Sequence, residues 1–121
     1  MALATRETFL RPAQRRHREV TLPTTGETVR LQSLTELERT TYENSRFGRD
    51  GKLLPGRLED GKARLICLCV VDADGKPLLK PGDERIILEN MDSADSAFLY
   101  DACWDHVGFS ATVKTETEAK N

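Results

Sequence analysis

Ala63-Arg64-Leu65-Ile66-Cys67-Leu68-Cys69-Val70-Val71-Asp72-Ala73-Asp74-Gly75 is the stretch on which the fold turns. Leu65 to Val71 is its unbroken apolar run, far too short to cross a bilayer. It must therefore be buried against the rest of the chain or against a partner. Acidic residues, Gly75 and Pro77 end it abruptly, which is turn chemistry. A continuous apolar run fits a buried strand or a buried helix. Ile66, Val70 and Val71 favour a strand by propensity. Length favours a helix, from Leu58 or Asp60 through Val71, with Asp60 as N-cap. We read it as a helix with Ala63, Ile66, Cys67, Val70 and Val71 on one face, the strand remaining the alternative.

Outward from this run the segments are amphipathic and weaker. His17 to Leu31 has a period of two, interrupted by Pro23-Thr24-Thr25-Gly26, and reads as a β-hairpin. Val20 and Leu22 share one face of its first strand, Val29 and Leu31 one face of its second. An isolated hairpin is marginal in water, so this face must meet helices or a neighbouring subunit's sheet. Ser33-Leu34-Thr35-Glu36-Leu37-Glu38 carries a capping box, either Ser33 with Glu36 or Thr35 with Glu38. The helix it opens is expected to run to Arg46 or Phe47, with Gly48 ending it. Gly48 to Gly61 is rich in Gly, Pro and charge and reads as a loop.

Beyond the central run, Asp83 caps a short helix through about Asn90, with Ile86, Ile87 and Leu88 as its apolar side. Ser93-Ala94-Asp95-Ser96 opens a last helix that Gly108 can terminate. The expected core is Leu34, Leu37, Leu65, Ile66, Leu68, Val70, Ile87, Phe98 and Trp104. The fold class is α+β: a small N-terminal β-hairpin followed by a mostly helical body of three to four helices. Residues 17–109 are expected to form a single domain, residues 1–16 a flexible N-terminal arm and residues 110–121 a disordered tail.

Composition narrows the function. The chain has 121 residues, enough for one domain with a modest core and no obligatory disulfide or metal. With 18 basic against 20 acidic residues and few aromatics, it has no electrostatic footprint or stacking platform for nucleic acid. Arg11, Arg15, Arg16 and Arg18 with His17 form a short basic cluster, read as a solvated lead-in to the first strand in preference to a phosphate-binding arm. Three cysteines in apolar or helical surroundings suit a reducing cytosol. The N-terminus lacks the apolar core of a signal peptide, so a soluble cytoplasmic protein is expected.

Chemistry-bearing motifs are sparse. Placing Gly75 at the sixth position of an EF-hand loop puts Val70 first and Pro81 twelfth, where carboxylates are required. Asp72-Ala73-Asp74-Gly75 is therefore a plain turn. Cys67, Cys69, Cys103 and His106 are zinc-type ligands with unsuitable spacing. On a helix Cys67 and Cys69 would lie roughly 200° apart, while on a strand they would share a face. Buried free cysteine is the preferred reading. No nucleophile–base–orienter set, phosphate loop or metal-ligand pair is visible, so no enzyme, metal or cofactor is expected.

The order of parts carries a resemblance. Val-Arg-Leu-Gln-Ser-Leu-Thr-Glu-Leu-Glu-Arg (29–39), a Gly-rich charged loop, then Ala-Arg-Leu-Ile-Cys-Leu-Cys-Val-Val-Asp-Ala-Asp-Gly-Lys-Pro-Leu (63–78) and a closing helix pair resemble the small tail assembly chaperones of long-tailed bacteriophages and related prophages. The resemblance covers roughly residues 17–109. Lys80-Pro81-Gly82, standing before the acidic Asp83-Glu84, departs from the family pattern. The resemblance implies a non-enzymatic protein of the host cytoplasm, absent from the finished virion. It would coat the tape measure protein, keep its apolar stripes soluble and help recruit the major tail tube protein. The small charged domain itself suits homo-oligomerisation and an apolar groove for a helix. Val20, Leu22, Val29, Leu31, Leu34 and Leu37, on faces too thin to be covered well in a monomer, are the expected partner-binding residues. The alternatives are a structural tail or connector subunit retained in the virion and, less favoured, a host regulatory or zinc-binding module.

Overall fold

The central run resolves into two elements rather than one. Gly61–Cys69 is helical, and the helix stops where the β-branched pair Val70–Val71 turns extended and joins a sheet. In the computed structural model, which describes residues 2–12, 14–45, 47–52 and 60–108, the order is α1 (Arg6–Leu10), β1 (His17–Thr21), β2 (Thr28–Gln32), α2 (Glu36–Asn44), α3 (Gly61–Cys69), β3 (Val70–Val71), α4 (Asp83–Asn90) and α5 (Ser93–His106). The class is α+β, as expected.

The hairpin forms where period and turn chemistry placed it. Gly26 takes φ 75, its N–H bonds to Leu22 O at 3.0 Å, and Leu22 N–H bonds to Glu27 O at 2.9 Å. Val20 pairs with Val29 and Arg18 with Leu31. β2 is the middle strand of an antiparallel β1-β2-β3 sheet, with Leu31 opposite Val70. That third strand was absent from the hairpin reading. It exists because the end of α3 returns alongside β2, which pairs backbone groups the apolar run would otherwise bury unsatisfied.

Of the alternative capping boxes, the structure uses Thr35 with Glu38. Glu38 N–H donates to Thr35 Oγ1 at 3.3 Å and Thr35 N–H to Glu38 Oε1 at 2.9 Å. The helix ends at Asn44, short of the expected Arg46 or Phe47. Ser45 closes it by donating its hydroxyl to Tyr42 O at 2.6 Å. Asp60 does stand at the N-cap of α3, but its carboxylate pairs with Arg64 Nε at 2.9 Å instead of capping. Arg64 is buried, and its guanidinium lies over the Tyr42 ring at 5.8 Å. The expected α3 face is thus rotated: Leu65 and Cys69 join Ala63 and Ile66 inside, while Cys67 is half-buried.

Gly82, not Asp83 as expected, stands at the N-cap of α4; Asp83 is its first residue, and its carboxylate accepts from Lys80 N at 2.7 Å across the preceding turn in place of a helix amide. Asp92 rather than Ser93 caps α5, accepting from Ala94 N at 2.8 Å, and Gly108 follows the helix with φ 93. The buried side of α5 is Asp95, Leu99, Ala102, Cys103 and His106, a regular three-and-four stripe. This overturns part of the expected core. Phe98 is 39% exposed and Trp104 half-buried, because α5 turns the small and medium side chains Leu99, Ala102 and Cys103 toward α3. Leu37 and Leu68 also lie outside. Leu31, Leu65, Ile66, Cys69 and Cys103 form the fully buried centre. Each larger apolar side chain among them contributes about 1.5–3 kcal/mol of transfer free energy.

The lead-in to β1 is tied to the body. Arg15 Nη1 donates to Ser33 O at 2.8 Å and to Glu38 Oε1 at 2.7 Å. Arg16 donates to His106 O at 2.8 Å, while the His106 ring Nε2 meets Arg16 O at 3.1 Å. Arg18 pairs with Asp105 at 3.3 Å. Arg15, Arg16 and Arg18 of the basic cluster are thus used internally. Within residues 1–16, the expected flexible arm, the structure has the single turn α1. The expected tail, residues 110–121, and half of the central loop, residues 53–59, lie outside the described residues.

Candidate partner-binding grooves

The residues expected to meet a partner divide into distinct environments. Leu31 is 0% and Val20 8% exposed, so both belong to the core and offer no docking surface. The physical reason is the third strand: pairing of β3 on β2 sets Val70 beside Leu31, and α3 and α5 cover that face. Leu34 is half-buried and packs against the same core. Leu22 and Val29, also half-buried, line an open groove of about 480 Å³ with Leu78, Leu79, Ile87 and Met91. Only Leu37, 76% exposed, projects freely.

Leu37 lines a second groove, of about 550 Å³, between α2 and the segment 77–84. α2 contributes Leu37, Thr41 and Tyr42, α3 contributes Cys67 and Leu68, and the far side is Pro77, Leu79 and Pro81. Leu68 is 37% exposed here. The segment 77–84 can form that side because its turns are locally built. Asp72 accepts from Asp74 N at 2.8 Å and Lys76 N at 3.0 Å, Pro77 bridges back to Val71, and Gly82 has φ 99. The carboxylate of Asp72 is thus occupied by backbone amides, as the plain-turn reading requires. Local sequence could not reveal Leu68, Leu79 and Pro81 as groove residues, because they come together with Leu37 only through packing.

Charged groups rim the second groove. Glu38 is partly buried, which opposes its ionisation, yet the Thr35 N–H and the Arg15 guanidinium outweigh this and hold its carboxyl below the ordinary value. Glu84 accepts from Gly82 N at 2.8 Å. Burial pushes the Cys67 thiol up to about 12, and the Glu84 and Asp83 carboxylates add to the rise. Cys67 is therefore a poor nucleophile in this setting. Cys69 and Cys103 face each other between α3 and α5, and their mutual hydrogen bond and burial also raise the Cys69 thiol. With Cys67 in the groove and His106 on the Arg16 carbonyl, the zinc-type ligands are not assembled. Among the described residues no group of three His, Cys, Asp or Glu side chains is placed to hold a metal ion. No described helix is long and apolar enough to cross a membrane.

Comparison with protein-family models and with characterised proteins gives no match. Among solved structures the chain is similar to the tail assembly chaperone of bacteriophage HK97, with a TM-score of 0.56 and 19% sequence identity. The likeness covers 77% of this chain and 86% of that one. At this identity the likeness is one of architecture, and it spans most of both molecules. The chain has the α+β fold of a phage tail assembly chaperone.

Proposed function

We propose that this protein is a non-enzymatic tail assembly chaperone that acts in the host cytoplasm. In this reading it binds an amphipathic helix of the tape measure protein and assists tail tube assembly. The observation that carries the reading is the open groove holding Leu37 and Leu68, on a fold shared with a phage tail assembly chaperone. Exposed apolar side chains between charged rims suit helix-in-groove recognition, in which apolar anchors spaced three and four residues apart enter the groove. Burying Leu37 and Leu68 in such a contact would contribute about 1–2 kcal/mol each. That suits a reversible client contact, released when tube subunits replace the chaperone. Leu22 and Val29 in the neighbouring groove are the secondary contact surface, and the major tail tube protein is the second partner of this reading.

Co-expression tests it. The wild-type chain should raise the soluble yield of the tape measure protein encoded beside it, and Leu37→Glu should weaken that effect while leaving the thermal midpoint unchanged. No gain in yield, together with recovery of the protein from purified tails, would replace this reading with that of a structural tail or connector subunit.

A further inference from the structure

The N-terminal arm presents apolar side chains with nothing beneath them. Residues 2–12 are all exposed, including Leu3, Phe9 and Leu10, and Phe9 is 80% exposed. Yet α1 is locally specified: Thr5 N–H bonds to Thr8 Oγ1 at 3.1 Å in a reciprocal capping box. A five-residue helix has too few turns to hold itself together in water and needs a surface to pack on. Large exposed apolar side chains on such a segment mark an interaction site.

The chain itself carries a matching surface. The arm is rooted at Arg15, whose guanidinium bonds Glu38, and Glu38 lies on the rim of the groove that holds Leu37 and Leu68. The rim is mixed in charge, Glu38 and Glu84 with Arg64 and Lys80, and Glu38 is already paired with Arg15, so the match is one of apolar surface, Phe9 and Leu10 on the arm against Leu37 and Leu68 in the groove. We propose that the arm of one copy docks in the α2–α3 groove of a second copy, with Phe9 and Leu10 against Leu37 and Leu68.

The occupant is a second copy because the chain's own arm stands off its own body, exposed along its whole described length. Because each arm is rooted beside its own groove, one two-fold axis brings both arms to both grooves, a closed reciprocal exchange. The connector from Leu10 to Arg15 spans at most about 17 Å, enough to cross such an axis. Phe and Leu anchors on two arms, with the groove surface they cover, bring the buried area to about 1,000 Å², the lower range of a specific interface. The pair would then be reversible, and the arm would guard the groove until a longer apolar helix displaces it. The inference rests on the groove being a docking surface, as in the functional reading, but does not depend on which client uses it.

Sedimentation velocity of the full chain over a concentration series tests the exchange, with a fluorescent peptide of residues 2–12 as a second probe. Wild-type protein should dimerise reversibly, and Phe9→Glu with Leu10→Glu, or Leu37→Glu alone, should weaken association about tenfold or more. Mixing the arm variant with the groove variant should restore part of the association, since one intact arm then meets one intact groove. The peptide should bind the arm variant and not the Leu37→Glu variant. A wild-type chain that stays monomeric at every concentration overturns the proposal. So does a dimer insensitive to both variants, which would point to another surface such as the β1 edge. A monomeric wild type that refuses the peptide, beside an arm variant that accepts it, would show the arm lying in its own groove. The client's soluble yield, measured with the arm variant, separates this question from the functional one, because Phe9 and Leu10 are not client contacts in that reading.

Discussion

Replacing Asp95 by Ala should cost about 3 kcal/mol, chiefly through the hydrogen bonds of its carboxylate. Asp95 is 2% exposed and lies in the first turn of α5. Its Oδ1 accepts from Thr24 N at 2.9 Å, and its Oδ2 accepts from the Thr24 hydroxyl. These bonds tie the hairpin turn to α5 across 71 positions of sequence. A hydrogen bond to a charged acceptor contributes about 1.5–3 kcal/mol. Thr24 is exposed, so water can replace its lost partner and the low end of that range applies to each bond. An acid in the first helical turn adds about 0.3–1 kcal/mol through the helix dipole. For a domain of this size the midpoint should fall by about 10 °C. Thermal and urea unfolding followed by circular dichroism measure it. Asp95→Asn keeps one acceptor and should lose about half as much, and Thr24→Val should lose about 1.5 kcal/mol. The cycle built from Thr24→Val and Asp95→Ala should show coupling of about 1 kcal/mol or more. A loss below about 1 kcal/mol for Asp95→Ala, or additive effects in the cycle, would refute the clamp.

Further outcomes follow from packing and charge. Leu65→Ala should destabilise the chain by about 2–5 kcal/mol, and Leu68→Ala by less than about 1 kcal/mol, because α3 turns the first inward and the second into the groove; equal losses in urea titrations would contradict the orientation of α3. Stability should fall on acidification. Burial holds the His106 imidazole below its ordinary value of 6.5, against the hydrogen bond to Arg16, and the cations Arg16, Arg18 and His17 add to the lowering. The unfolded chain therefore takes up a proton that the folded chain resists, and stability drops as pH falls from about 6.5 through the lower folded value. Glu38, held below 4.5, adds a second loss as pH falls through its own folded value. His106→Gln should flatten the first decline and leave the second, and an unchanged profile between pH 7 and about 5 would remove His106 as its cause.

Local structure was legible in the sequence wherever nearest neighbours decide it. Pro23-Thr24-Thr25-Gly26 specified the hairpin turn, Thr35 with Glu38 was one of the two boxes offered for the start of α2, and Gly108 specified the end of α5, whereas the cap assigned to Asp83 fell to Gly82. Each is a short-range device: a backbone angle glycine accepts, or a side chain bonding an amide a few residues away. The central run was ambiguous in sequence for a reason the structure makes plain, since it is helix through Cys69 and strand at Val70 and Val71. Its apolar character required burial and was silent on which partner would do the burying.

Tertiary structure alone decided the faces. Val20 and Leu31 are interior because β3 returns to pair with β2, a contact between residues about forty apart, and no periodicity within the hairpin announces it. Asp95 faces inward because Thr24 of the hairpin turn waits there to satisfy it, so an acidic residue occupies a position hydrophobic patterning assigns to solvent. Phe98 is displaced outward in consequence. The groove joins Leu37, Leu68 and Leu79 from separate segments, and Leu37 and Leu68 read in sequence as ordinary core positions. A sequence marks which side chains prefer to leave water; whether each is covered depends on where the other elements land, and that is settled by long-range packing.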